Sequence, residues 1–405
     1  MVEIPAFEVE QWMDRYETTP GVLNISETCA SSITLEQLVQ LNSEKDAGPL
    51  IDLSTRMTYG SILGSDELRR NIAATYEDED ATAAASPPVS PEDIIVTQGA
   101  ISANYLVFYS LIGPGDHVIC VFPTYQQLYS VPESLGADVS MWKLKAEDSY
   151  VPNISELKNL IKRNTKMIVI NNPNNPTGAT ISSSVLTQII DLARTRDLIV
   201  FSDEVYRPLF HSLDGSATPP PSVLSLGYPK VVATSSMSKA WSLAGIRVGW
   251  AASRDRAIVS ALAVARDYTT ISVSQLDDRV ARYALGASVR PRLLARNLDL
   301  ARRNLRLLED FVRSHAAACD WVRPTAGTTA LVRFRGRGGE PVDDVEFCRD
   351  LLDKTKVMLV PASRCFGNGV EFRGSVRIGY VSETEVLEQA LDNLSFYIAY
   401  YLDER

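Results

Sequence analysis

Short apolar runs in the middle of the chain, each followed by a helical pattern, restrict its fold more than any other feature. From Asp93 onward, residues 94–96, 118–121, 167–170, 198–201, 231–234 and 248–252 read as strands. Between them lie stretches such as 182–196, where Val185, Ile189, Ile190 and Leu192 recur at helical spacing. Continuous apolar runs, as opposed to alternating ones, mark strands buried on both faces, and such burial needs helices above and below a mostly parallel sheet. The expected fold class is α/β, with a large, doubly wound, mostly parallel sheet domain.

The flanking regions read differently. After about residue 290, long helices carrying both charges (293–315 and 345–354) and a last helix (383–403) alternate with short strands at 329–333 and 375–378, the pattern of a smaller α/β domain. The N-terminal region offers a helix at 8–17 with Trp12 and Tyr16, an extended stretch at 22–28, a helix start at Thr34, and a helix at 66–76 with Leu68, Ile72 and Ala73 on one face. Residues 1–48 are expected to join the small domain, with 49–285 as the large domain and 286–405 as the small C-terminal one. Residues 77–91, acidic and then rich in Ala, Ser and Pro, and 212–222, with three successive prolines, read as exposed loops.

Composition removes several classes of function. The balance of 40 basic against 50 acidic residues, a net charge of −10, argues against a nucleic-acid-binding surface. No apolar run reaches the length of a membrane span, and no signal-peptide pattern is present, so no membrane partner is expected. The five cysteines have no Cys-x-x-Cys spacing and read as reduced thiols of a cytoplasmic protein. The three histidines, His117, His211 and His315, are far apart, which argues against a His-based metal site or catalytic triad, so no metal is expected.

Chemistry concentrates just beyond the strand ends, where a doubly wound sheet places its ligands. Lys239 lies in Ser-Ser-Met-Ser-Lys-Ala after the run 231–234, and Arg247 follows in Gly-x-Arg-x-Gly. This stretch reads as a strand, a turn holding Lys239, and a second strand-like segment holding Arg247. An amine used for Schiff-base chemistry must be deprotonated part of the time, so it needs a buried, preorganised setting. Small neighbours such as Ser236, Ser238 and Ala240 leave room for a planar cofactor, and Ser236 and Arg247 are donors suited to a phosphate. Taken alone, the stretch fits a solvated lysine and a surface arginine equally well.

Other stretches shift that balance. Thr97-Gln98-Gly99-Ala100-Ile101 turns from strand to helix, and its free amides would hold a phosphate. Asn172-Pro173-Asn174-Asn175-Pro176-Thr177-Gly178 is a rigid loop presenting amide donors. Asp203-Glu204-Val205-Tyr206 ends another strand and sets a carboxylate where it can face a cationic nitrogen. Pro123-Thr124-Tyr125 offers an aromatic face to a flat ring, although a core tyrosine would read the same way.

In this order the stretches resemble the fold-type I pyridoxal-phosphate enzymes, specifically the class I/II aminotransferase family, over nearly the whole chain. The resemblance implies pyridoxal 5'-phosphate as cofactor, Lys239 as its Schiff-base lysine, and Asp203 as partner of the pyridinium nitrogen. It implies that Asn175 and Tyr206 hydrogen-bond the ring's phenolic oxygen and that Tyr125 stacks on the ring. The phosphate would go to the turn at Gly99 with the amides of Ala100 and Ile101, to Ser236 and to Arg247. Tyr59, in Tyr-Gly-Ser-Ile-Leu-Gly, matches a tyrosine reaching the neighbouring subunit's phosphate, which implies a homodimer with shared active sites. Arg377, in Ser-Val-Arg-Ile-Gly-Tyr, matches the arginine that binds the carboxylate of an amino-acid substrate, with Asn175 beside it.

Some stretches depart from the family pattern, among them 324–329 and 361–367. Glu27, in Ile-Ser-Glu-Thr, falls in the segment that lies over the substrate in relatives, and it resembles the acidic residue of the aminocyclopropane-carboxylate synthase branch. Residues 266–274 are similar to the cyclising capreomycidine synthase branch. The leading expectation is an aminotransferase; the alternative is elimination, replacement or cyclisation on a basic or sulfonium amino acid. A non-catalytic relative of the fold would not need the intact set of Lys239, Asp203, Tyr206 and Arg377.

Overall fold

In the computed structural model, which describes residues 3–44, 48–77, 87–213, 215, 217–400 and 402, the central apolar runs all enter one sheet. Numbered along the chain, β1 (Leu23–Asn24) is a two-residue strand of the N-terminal segment. The seven-stranded sheet contains β2 (Ile94–Thr97), β3 (His117–Phe122), β4 (Asp138–Lys143), β5 (Thr165–Asn171), β6 (Ile199–Asp203), β7 (Val231–Ser236) and β8 (Gly249–Ala252). Their order is β2-β8-β7-β6-β5-β3-β4; the five strands from β7 to β4 run parallel, and β8 is antiparallel to both of its neighbours.

The continuous apolar runs follow from this burial. In β5, Met167 and Val169 join the cluster under the helices Gly99–Leu111 and Arg256–Asp267, while Ile168 and Ile170 join the cluster under the helix Ser183–Arg196. Side chains alternate between the two faces of a strand, so both registers must be apolar when both faces are covered. Each such fully buried side chain contributes about 1.5–3 kcal/mol. The strand missed in the sequence is β4: Asp-Val-Ser-Met-Trp-Lys has one neighbour, β3, and is largely part-exposed, so its composition is that of an edge strand.

The C-terminal region builds a second, antiparallel sheet. Along the chain come β9 (Cys319–Trp321), β10 (Thr329–Phe334), β11 (Val357–Met358), β12 (Val360–Pro361) and β13 (Ser375–Gly379), and the four-stranded sheet has the order β12-β13-β10-β9. The strand β11 pairs instead with β1, in parallel. The helix Glu8–Tyr16 links the two regions: Trp12 Nε1 donates to the Leu359 carbonyl at 2.9 Å and Glu8 pairs with Arg364 at 2.6 Å, while Gln126 Nε2 donates to Ala6 at 2.8 Å.

Several expectations need correction. The strand-like segment expected to hold Arg247 begins only at Gly249; Arg247 instead follows a one-turn helix, Ala244–Ile246, in the left-handed region at φ 52°. The helix start expected at Thr34, by contrast, is borne out: Thr34 caps the short helix Leu35–Gln40 and forms a capping box with Gln37. The last helix is Thr384–Tyr400, and the remainder of its expected span, residues 401 and 403, lies outside the described residues, as do 78–86 and residues 214 and 216 of the two expected loops. Among the described residues no helix is long and apolar enough to cross a membrane.

Candidate active site

The carboxyl ends of β3, β5, β6 and β7 face one cavity of about 630 Å³, whose opposite wall is the helix Glu8–Tyr16 and residues 27–29. Lys239 lies in the turn after β7. Its Nζ donates to Thr28 Oγ1 at 2.5 Å and stands 3.7 Å from Cys29 Sγ. Burial on its own would depress this amine, but Cys29, Tyr206 and Glu27 outweigh it and hold the amine raised. Lys239 thus sits in the buried setting that the sequence leads one to expect, with the groups around it opposing the effect of burial on its amine.

Asp203 closes β6 and is 3% exposed. Its Oδ2 accepts from Asn104 Nδ2 at 2.9 Å and its Oδ1 from the Val205 amide at 3.2 Å. Asn104 is oriented in turn by Thr234 Oγ1, which donates to its Oδ1 at 2.6 Å. Burial pushes the Asp203 carboxyl up to about 6, against the pull of the Asn104 and Val205 hydrogen bonds and of Lys239. A desolvated carboxylate of this kind is stabilised by a cation placed against it. Tyr206, buried beside it, has its phenol pushed up by burial.

At the other end of the sheet the backbone makes a cradle. The helix Gly99–Leu111 opens on Gly99 at φ 74°, and a Cβ there would stand 3.0 Å from Arg247 Nη2, so the guanidinium lies against the first turn. A Cβ on Gly249 would fall 2.3 Å from the Gly99 carbonyl carbon, so only glycine lets β8 pass this close. The first-turn amides of Ala100 and Ile101, which have no partner within the helix, line the cavity together with Ser236 and Arg247. Unpaired amides, a hydroxyl and a guanidinium suit a phosphate dianion.

Arg377, on β13, enters from the second sheet and is 3% exposed. Its Nη1 donates to Asn175 Oδ1 at 3.3 Å and its Nη2 to the Ser26 carbonyl at 2.8 Å, while its Nε has no hydrogen-bond partner. Two residues on, a Cβ on Gly379 would fall 1.6 Å from the Glu27 carbonyl oxygen. Glycine there lets residues 25–28 cross β13 and sets Glu27 in the cavity wall.

Of the residues expected from sequence, Ala100, Ile101, Tyr125, Asn175, Asp203, Tyr206, Ser236, Lys239, Arg247, Arg377 and Glu27 all line this cavity. Gly99 stands behind Ala100, and Tyr59 is 83% exposed and outside the cavity lining. Sequence reading missed Asn104, Thr28 and Cys29, and it missed the acidic face of the first helix. Asn104 could have been suspected as a lone amide in an apolar helix; Thr28 and Cys29 gave no local signal. Among the described residues no group of three His, Cys, Asp or Glu is placed to hold a metal ion. A flat ring with an aldehyde, a basic nitrogen and a phosphate fits what is present: an amine, a buried carboxylate, an aromatic face at Tyr125 and a dianion cradle.

Comparison with known proteins agrees with this geometry. The profile of the family described as aminotransferase class I and II matches residues 23–394. Capreomycidine synthase of Streptomyces vinaceus is 29% identical over 396 residues, covering 97% of this chain and 93% of that protein. An aspartate aminotransferase of Thermotoga maritima is 28% identical over 346 residues, covering 84% and 83%. Among solved structures, a PLP-dependent aminotransferase from Streptococcus suis superposes with a TM-score of 0.86 at 35% identity, covering 98% of each chain. With its profile matched from β1 to the last helix, the chain belongs to the class I and II aminotransferase family.

Proposed function

We propose that the protein is a pyridoxal-phosphate-dependent aminotransferase acting at the α-carbon of an amino acid. The observation that carries this reading is the convergence of Lys239, Asp203 and Arg377 on one cavity, with a buried arginine that no carboxylate of the described chain neutralises. Pyridoxal phosphate, when bound, draws the electron pair left on the substrate's Cα into its ring. The chain supplies the rest. Lys239 would hold the cofactor through its amine and, once freed by substrate, would take the proton from the substrate's Cα. Asp203 would keep the ring nitrogen protonated, and Asn104 and the Val205 amide orient its carboxylate. Asn175 and Tyr206 would donate to the phenolic oxygen, Tyr125 would cover the ring face, and the turn at Gly99, Ser236 and Arg247 would hold the phosphate. Arg377 takes the substrate carboxylate through the fork of its guanidinium, and Glu27 faces the substrate side chain.

The same residues serve a second reading, cyclisation or elimination after the same deprotonation, which the likeness to capreomycidine synthase over 97% of the chain supports. Tyr59, with the exposed Leu53, Met57 and Tyr268, supports a homodimer in which Tyr59 reaches the phosphate of the neighbouring subunit. The five free cysteines support the cytoplasm as its compartment.

Borohydride reduction of the holoenzyme followed by peptide mapping is expected to place the pyridoxyl group on Lys239; label on another lysine overturns the assignment. An amino-acid panel scored for keto acid against ammonia or cyclised product then separates the two reactions.

A further inference from the structure

The first helix places Glu10, Asp14 and Glu17 at positions i, i+4 and i+7, which puts them on one helical face, and that face lines the cavity. Glu27 lines it as well. None of these carboxylates forms an ion pair among the described residues, although Glu27 acts on Lys239 across the cavity and Glu8 on the same helix is paired with Arg364. Glu10 accepts a hydrogen bond from the Tyr125 hydroxyl at 2.8 Å, which fixes it over the cavity. The carboxyl of Glu17 is raised by burial first and then by Glu27, Asp14 and Glu10, so these charges feel one another. Like charges stacked at this spacing weaken an isolated helix.

A solvated acidic face would explain exposed carboxylates, but it would not explain what shares their cavity. Arg377 is 3% exposed and lines the same cavity, and its Nε has no hydrogen-bond partner. A buried, uncompensated guanidinium calls for an anion from the ligand. One cavity thus presents a cation awaiting a carboxylate and a separate row of anions awaiting a cation.

We infer that the substrate is an α-amino acid whose side chain ends in a cation, bound by its carboxylate to Arg377 and by its side chain to the acidic wall of Glu10, Asp14, Glu17 and Glu27. This rests on the reading of the protein as an enzyme of amino acids. Of the wall, Asp14 and Glu17 act on binding and not on the proton transfer at Cα, whose groups follow β6 and β7, whereas Glu27 also bears on Lys239 and is left unchanged in the test variants.

The test compares L-arginine with L-citrulline, which have nearly the same shape but differ in charge, on the holoenzyme. The cofactor's visible absorbance is followed in single turnovers, and kcat/KM is measured at low salt. Arginine is expected to be favoured by roughly tenfold or more, since each solvent-exposed ion pair adds only a few-fold. Asp14→Asn with Glu17→Gln, both on the exposed helix surface, should shrink that ratio several-fold, through KM more than kcat. The single variant Glu17→Gln should lie between, and added salt should shrink the wild-type ratio. Equal use of the two amino acids, or a ratio that the double variant leaves untouched, overturns the inference. So does inertness of arginine and lysine while neutral or acidic amino acids change the absorbance, and in that case the aminotransferase reading stands. If no amino acid changes the absorbance, the aminotransferase reading itself fails, and this inference fails with it.

Discussion

The floor and the roof of the cavity are built on different principles. The floor consists of the turns after β3, β5, β6 and β7; Asn175, Asp203 and Tyr206 are each under 5% exposed, and Asn175 and Asp203 are tied by hydrogen bonds to Asn171 and Asn104. The roof is one helix of nine residues plus residues 25–29, with Glu8 paired to Arg364 but Asp14, Glu17 and Glu27 exposed and in no ion pair among the described residues. Precise positioning of reacting groups needs rigid support, because displacements of about 1 Å reduce rate severely. Selection among substrates tolerates a looser surface. The contrast teaches that changes in the floor should strike every substrate alike, whereas changes in the roof should sort them.

The sharpest way to break this division is Lys239→Ala. It is expected to abolish turnover, a loss of about 10⁴-fold or more, since it removes the group proposed both to anchor the cofactor and to carry the proton. Stopped-flow assays with saturating cofactor check it, and substantial residual turnover would show that another group on the roof does the work. Asp203→Asn comes next, with kcat lower by about 10²–10³-fold for every accepted amino acid, the scale seen when one preorganised electrostatic partner is lost. A loss confined to one class of substrate would blur the distinction between floor and roof.

Asp203 also has a signature in stability that separates the floor from a surface carboxylate. Without cofactor its folded pKa is about 6, above the ordinary 3.8, so the folded protein holds this proton more tightly than the unfolded chain does. Stability is therefore unaffected well below pH 3.8, falls as pH rises through that window, and stays reduced above about pH 6. Asp203→Asn removes this penalty, which is at most about 3 kcal/mol. The variant apoenzyme should melt higher than wild type at pH 8 and the same at pH 4. A gain that is equal at both pH values would mean that the carboxyl is not desolvated.

The smallest expected effect belongs to the roof. Arg364→Ala unlatches Glu8, an ion pair whose members are both about one-third exposed. It should cost only about 0.2–1 kcal/mol, read as a KM higher by a few-fold with kcat nearly unchanged. A large fall in kcat would show that the helix positions the reacting groups, and the comparison would have to be redrawn.

Legibility in the sequence follows the same line. Asp203, Lys239 and Asn175 could be read because each sits a few residues past a strand, in a local string whose backbone chemistry is set by its own glycines, prolines and neighbours. The edge strand β4 and the left-handed turn at Arg247 were misread, since one is half-exposed and the other takes a conformation that its neighbours do not announce.

By itself the chain's text determined the doubly wound sheet, the order of the motifs and the identity of the floor. Apolar periodicity and strand-end turns are short-range features, and short-range sequence specifies them. Only the tertiary structure decided that Asn104 would aim Asp203 from 99 residues away, that Thr28 would hold Lys239 from 211 residues away, and that Arg377 would reach Asn175 across 202. It also decided that a modest acidic helix near the N-terminus would face the cavity. Contacts that close such long loops leave no periodic trace in either segment, because each partner keeps the local pattern of its own element and meets the other only when the layers pack.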